Sequence, residues 1–187
     1  MIGALPSDLE IGGELYPIRS DYRVALLIFQ AMEDPELTEQ EKALALLSCL
    51  YEDWESIPQE CLEEACNKAV WFLDGGDMAK SEIHVKTLDW EQDESMIFAA
   101  VNKSAGKEIR ELPFLHWWSF LGFFSESGET LLSTIMHIRY KRGRGKPLDK
   151  QERQFYIEHK DMIDIKKKLS KAEKEENDFV NSLFEGS

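Results

Sequence analysis

The chain has 187 residues, of which 43% are hydrophobic, and carries a formal net charge of −14. This length predicts a single domain whose core needs no disulfide or metal to hold it together. Six prolines and eleven glycines are too few for a loop-rich β fold, and an acidic surface repels nucleic acid and anionic membranes. Neither nucleic acid nor a membrane is therefore expected as a partner.

The three cysteines, Cys49, Cys61 and Cys66, are an odd number in a chain whose N-terminus shows no secretory leader. We expect them to be reduced, buried and apolar in role, with no metal or redox chemistry. No apolar run reaches the roughly 18 residues that a membrane span needs. These features predict a cytosolic protein.

The N-terminal residues are the only strand-like part of the sequence. Two short apolar alternations flank Gly12 and Gly13, a two-residue turn of the type that hairpins use. Pro17 restricts the second alternation to a sheet edge. We therefore expect a small β-hairpin ahead of the helices.

Helical periodicity predicts a mainly α, single-domain bundle of about six to seven helices after the hairpin. Capping boxes at Thr38–Glu41 and Asp149–Glu152 mark two of the helix starts. The predicted starts are Ser20 or Asp21, Thr38, Pro58, Asp93, Pro113, Leu131 and Asp149. The predicted apolar faces of the first two helices are Val24, Leu27, Ile28 and Ala31, then Leu44, Leu47, Leu50, Tyr51 and Trp54.

Composition divides the chain into three parts. Residues 1–140 form the predicted helical core domain with its hairpin, and residues 77–87 within it are a polar connector. Residues 141–148 are basic and contain Gly143 and Gly145, which predicts a flexible linker. Residues 149–187 are the predicted C-terminal helix and charged tail. The basic run is a solvated linker, a docking site for an acidic partner or a nucleic-acid contact, with the first favoured.

The polar residues do not gather into a catalytic pattern. The four histidines (His84, His116, His137 and His159) are far apart in sequence, and none has a metal-ligand spacing. Carboxylate pairs mean little among 36 acidic residues, and no phosphate loop or nucleophile elbow is present. We expect no enzyme activity, cofactor or metal, and we interpret His116 as a packed or hydrogen-bonded core histidine.

Two apolar patches are candidates for binding a partner. Trp117 and Trp118 are adjacent, so their rings point about 100° apart on a helix; one can enter the core while the other lies at a boundary or interface. Core packing alone is the alternative. Near the end, four apolar residues either dock back onto the domain, bind a partner or are disordered. The candidate partner-binding residues are Trp117, Trp118, Phe179, Val180, Leu183 and Phe184.

Several short motifs occur in a characteristic order between Leu5 and Tyr156. They are Gly13-x-x-Tyr16-Pro17-Ile18, Ser20-Asp21-Tyr22-Arg23, Glu41-Lys42-Ala43, Trp71-Phe72-Leu73-Asp74-Gly75-Gly76, Asp93 with Ile97-Phe98-Ala99-Ala100, Leu115-His116-Trp117-Trp118-Ser119-Phe120 and Ile138-Arg139-Tyr140. Their order resembles the bacteriophage gene-product-fifteen family, found among tail genes of phages and prophages of Gram-positive bacteria. The family more often has Asp-Phe-Arg and Tyr-Arg where this chain has Asp21-Tyr22-Arg23 and Arg139-Tyr140.

The resemblance implies a helical tail assembly chaperone without catalytic residues. Such a chaperone coats the tape-measure protein until tail-tube subunits replace it. Its implied partners are the tape-measure protein, the major tail protein or both, with self-association as a further option. Its implied location is the host bacterial cytoplasm and not the mature virion. The alternative is a structural component that is retained in the finished tail.

Overall fold

The computed structural model describes residues 3–76 and 85–175. The predicted connector is thus described only from Val85 onward, and the apolar segment Phe179–Phe184 lies outside the described residues. The described chain is mainly helical, as predicted, with a small two-stranded sheet at its start.

The hairpin consists of β1 (Asp8–Ile11) and β2 (Glu14–Pro17), paired antiparallel with Leu9 opposite Tyr16. Gly12 and Gly13 have φ angles of +59° and +85°, the left-handed backbone that a tight hairpin turn requires at both positions. Leu9 and Tyr16 are buried, and so is Ile11. The predicted hairpin is confirmed, and its inner face packs on the helical body.

Eight α-helices lie in the described ranges, seven of them nine or more residues long. They are α1 (Tyr22–Met32), α2 (Glu39–Leu50), α3 (Leu62–Leu73), α4 (Glu94–Ala105), α5 (Trp117–Ser125), α6 (Leu131–Gly143), α7 (Lys150–Glu158) and α8 (Lys160–Ile163). Single 3-10 turns at Trp54–Ser56, Gln59–Cys61 and Ile109–Glu111 connect them. None of these helices is long and apolar enough to cross a lipid bilayer.

Side-chain caps fix several helix starts where the sequence predicts them. Asp21 accepts a hydrogen bond from the Arg23 N–H at the start of α1. The capping boxes Thr38–Glu41 and Asp149–Glu152 are both formed, so the predicted starts of α2 and α7 are confirmed. A third box, which we did not predict, joins Thr130 to the side chain three residues later and opens α6.

Other predicted boundaries are wrong. After Pro58 the chain makes a 3-10 turn, and α3 starts only at Leu62. The helix expected from Pro113 starts at Trp117 instead, because Leu115 and His116 are held in an extended bridge to residues 20–22. The last predicted helix is split at His159 into α7 and α8.

The helix expected to end at Tyr140 also continues to Gly143, so the first three residues of the predicted linker are helical. Gly143 has no positive φ angle, unlike Gly145 at +65°. The division into core, linker and tail as separate units stays a prediction.

The apolar faces are only partly as predicted. Leu27 and Leu44 were expected to be buried, but they are 56% and 47% exposed. Ala25 and Leu46 face the core in their place. The sequence of α1 is apolar on most sides, so its periodicity does not decide which side meets the other helices.

The main core lies between the hairpin and α1–α5. Its centre is a run of stacked rings in which Phe120 lies 5.1 Å from Tyr22 and 5.4 Å from Trp117, measured between ring centroids. A second, smaller cluster of Ile135, Ile138 and Ile163 joins α6 to α8. The aromatic residues Trp117 and Phe120 of α5 thus lie at the packing centre of the described chain.

Candidate protein-interaction surface

Trp117 is a core residue. Its side chain is 1% exposed, and its indole Nε1 donates a hydrogen bond of 2.9 Å to the carbonyl of Leu73. Its ring lies 5.7 Å from Trp90 and 5.8 Å from Phe29, centroid to centroid. Trp117 therefore has no area to offer a partner, and we set aside our expectation that it contributes directly to binding.

Trp118 lies at the boundary between the core and solvent. Its ring is half-buried, and its Nε1 donates to the carbonyl of Phe72 over 2.8 Å. The last carbonyls of a helix have no partner within the helix, so the two adjacent tryptophans satisfy neighbouring carbonyls at the end of α3. The prediction that the two rings take different environments is confirmed.

Trp118 forms an aromatic surface with the end of α3. The ring of Trp71 lies edge-on to it, 5.4 Å away between centroids. In the turn after α3, Gly75 and Gly76 have φ angles of +73° and +84°. A Cβ on Gly76 would lie 2.9 Å from Trp118 Cη2, and one on Gly75 would lie 3.1 Å from Leu121 Cδ1.

Gly76 therefore lets the turn lie directly against the ring of Trp118, and Gly75 lets it lie against Leu121. We call Trp71, Trp118, Leu121 and the Gly75-Gly76 turn the tryptophan surface. Both tryptophans in it are half-buried. Trp71 was not among the predicted binding residues, although its position just before the Asp74-Gly75-Gly76 turn was a usable signal.

His116 supports this surface without being free for chemistry. Its Nδ1 accepts the N–H of Trp118 at 3.0 Å and so caps α5, which leaves Nε2 to donate to the Pro6 carbonyl, also at 3.0 Å. The side chain is buried against the edge of Phe72. Both ring nitrogens are occupied by backbone groups, so the interpretation of His116 as a packed, hydrogen-bonded histidine is confirmed.

The described ranges contain no cluster of three or more His, Cys, Asp or Glu side chains suited to a metal ion. Cys49, Cys61 and Cys66 are free thiols, but all three are partly exposed, so the expectation that they are buried is wrong. Burial is still sufficient at Cys66 to raise the pKa of its thiol. A thiol with a raised pKa is a weak nucleophile.

The basic run is largely paired with carboxylates. Arg139 is buried and bonded to Asp93, the Lys141 ammonium lies 2.6 Å from Glu152, and Arg142 pairs with Asp164. Asp93 was predicted as a helix cap; it stands at that position but makes no capping hydrogen bond, because its carboxylate meets Arg139. These pairs tie α6 to its neighbours.

A second apolar feature is a groove of about 380 Å³ between α1 and α4. Leu26, Leu27, Trp90 and Phe98 supply its apolar lining. At its rim the guanidinium of Arg110 lies 5.0 Å from the Phe98 ring centroid. We call this the α1/α4 groove. It was not predicted from the sequence, because Leu27 was assigned to the core.

The candidate residues Phe179, Val180, Leu183 and Phe184 lie outside the described residues, so no contact can be assigned to them. The tryptophan surface and the α1/α4 groove both lie within a stretch matched by a known family. The family model described as Bacteriophage Gp15 protein matches residues 1–165. No curated protein and no solved structure matches the chain.

Proposed function

The chain belongs to the Bacteriophage Gp15 protein family, and on that premise we propose that it is a non-enzymatic chaperone of phage tail assembly. In this proposal it binds apolar segments of the tape-measure protein, and also the major tail protein, in the host cytoplasm. It leaves before the virion is complete. The observation that carries the proposal is the tryptophan surface, where aromatic area faces solvent while the Nε1 of Trp118 is already bonded to the Phe72 carbonyl.

The chemistry of that surface suits reversible binding of apolar segments. The Nε1 of Trp118 is bonded to the Phe72 carbonyl, so a partner that covers Trp118 meets its ring carbons and does not strand its N–H. Tryptophan contributes strongly to binding energy at protein interfaces. An amphipathic helix that lays its apolar side on such rings is a common mode of recognition.

The acidic composition supports the same role. With a net charge of −14, the chaperone would repel other copies of the complex and keep a bound apolar segment in solution.

Co-expression with the tape-measure protein of the same phage tests the proposal. We expect the amount of soluble tape-measure protein to fall several-fold when the chain is omitted, and to fall similarly with Trp71→Ala. The matched control is Trp54→Ala, because Trp54 is also a half-buried tryptophan packed on the core but lies outside the tryptophan surface. The control should leave the tape-measure protein soluble.

Two results would count against the proposal. The first is tape-measure protein that is equally soluble without this chain, and the second is an equal loss with both tryptophan variants. Mass spectrometry of purified virions addresses the alternative of a component retained in the tail. A chaperone should be absent from them, whereas a retained component should appear in a fixed ratio to the major tail protein.

A further inference from the structure

The α1/α4 groove leads directly to the place where the described chain ends. A neighbouring cavity of about 510 Å³ shares Gln30 and Glu91 with the groove. That cavity is also lined by residues close to the end of the described chain, namely Lys167, Lys168, Leu169, Lys171 and Lys174. The groove and the end of the described chain are therefore parts of one continuous depression along α1.

Ion pairs hold the last described residues at this position. The Lys168 ammonium lies 2.8 Å from a Glu91 carboxylate oxygen and 3.2 Å from Glu33. The Lys171 backbone N–H donates to the Glu36 carboxylate over 2.5 Å. The described chain therefore ends close to the C-terminal end of α1.

The twelve residues that follow have the composition of a groove ligand. Phe179, Val180, Leu183 and Phe184 recur at the spacing of one helix face. The segment has three carboxylates, at Glu176, Asp178 and Glu185, and no Lys or Arg. Twelve residues span roughly 18 Å as a helix or up to about 40 Å when extended.

We propose that residues 176–187 dock in the α1/α4 groove of their own chain, with their apolar side chains against Leu26, Leu27, Trp90 and Phe98. The groove supplies apolar area, and that area carries the match to the segment. Its charged lining is mixed: Arg23 and Arg110 are 40% and 56% exposed and paired with Asp21 and Glu108, and Glu91 and Glu94 lie beside them. This docking does not depend on the proposed function, because the segment and the groove belong to the same chain.

Hydrogen exchange on the full-length chain tests the docking. We expect backbone amides of residues 179–184 to exchange at least about tenfold more slowly than unstructured amides. Leu27→Arg places a charge in the groove and should abolish that protection. The matched control, Leu44→Arg, changes a leucine of similar exposure on α2 and should leave the protection unchanged.

A second variant changes only the segment. Leu183→Asp combined with Phe184→Asp should remove the protection of residues 179–184 and leave exchange in α1–α6 as in the wild-type chain. Because this variant leaves the groove residues unchanged, its result shows whether protection is lost without any unfolding of the groove, which the Leu27→Arg variant alone does not show.

Three results would overturn the proposal. One is fast exchange of residues 179–184 in the wild-type chain, and another is equal loss of protection in Leu27→Arg and Leu44→Arg. The third is protection that grows with protein concentration over a range in which sedimentation detects dimers, because the occupant would then be the segment of a second copy.

Discussion

At the scale of single residues, Arg139 does more than its place in a basic run suggests. It is 5% exposed, and its guanidinium bonds to both carboxylate oxygens of Asp93, at 2.5 and 3.0 Å. It also donates to the carbonyls of Thr87, Met162 and Ile163 at distances between 2.6 and 3.1 Å. One side chain therefore joins α6 to α4 and to α8.

Replacing Arg139 should destabilise the protein strongly. Arg139→Met leaves the fully buried Asp93 without its cation, and breaking a buried pair from one side costs about 3–5 kcal/mol of unfolding free energy. The matched control is Arg142→Met, whose pair with Asp164 is about 40% exposed on both sides. Exposed pairs contribute at most about 1 kcal/mol.

Urea denaturation of the two variants measures this difference. Equal losses of unfolding free energy for Arg139→Met and Arg142→Met would show that the buried network around Asp93 contributes no more to stability than a surface pair does.

At the scale of the helix, Gly143 shows why a glycine near a helix end is not always a hinge. A Cβ at this position would overlap the side chain of Val85. Gly143 therefore lets α6 approach the residues that precede α4, and the glycine is required by close packing.

Gly143→Ala distinguishes a glycine that provides chain flexibility from one that is required by close packing against Val85. The higher helix propensity of alanine would stabilise α6 by about 1 kcal/mol, but forcing an atom into occupied space costs about 1–3 kcal/mol. We expect the overlap to decide, so the thermal midpoint of Gly143→Ala should fall. In Gly122→Ala, the matched control in α5, the new Cβ meets nothing within 4 Å, and the midpoint should rise.

The additional variant Gly143→Ala with Val85→Ala should recover part of the loss. A rise in the thermal midpoint of Gly143→Ala alone would instead mean that packing does not constrain this position, in keeping with the flexible linker that the sequence predicts.

The sequence predicts helix starts well where both capping partners are close together in the chain. The boxes at Thr38–Glu41 and Asp149–Glu152 each need only a three-residue spacing. The start of α5 could not be predicted in this way, because it depends on an extended bridge between His116 and Asp21. Local pattern contains no information on a contact between residues so distant in sequence.

The candidate surface was predictable only in part, for the same reason. The sequence indicated that one of Trp117 and Trp118 could be a boundary residue, because adjacent helical side chains diverge, but it did not indicate which one. Trp71 meets Trp118 only after α3 and α5 pack together. Likewise, the groove beside Leu27 exists because α1 turns Ala25 to the core, a choice that an apolar helix does not reveal by its own periodicity.

At the scale of the whole molecule, some of the many carboxylates accept hydrogen bonds that form only in the folded chain. Hydrogen bonds from backbone, Arg and Lys donors lower the pKa of several glutamates. These are Glu41, Glu108, Glu152 and Glu173. A carboxyl whose pKa is lower in the folded than in the unfolded chain stabilises the fold at neutral pH, and that contribution is lost on acidification.

Glu108 is the residue at which this pH dependence can be tested. The Arg110 guanidinium donates two bonds of 2.7 Å to its carboxylate and lowers the pKa of Glu108 to about 2. The unfolded value is about 4.3, so the contribution of Glu108 is complete above pH ~4.3 and disappears as pH falls to about 2. Thermal midpoints measured from pH 7 to pH 2.5 should therefore decline below pH ~4.3, and less steeply in Glu108→Gln, which cannot titrate. Parallel declines in the two proteins would mean that the Glu108–Arg110 pair does not contribute to the acid sensitivity of this fold.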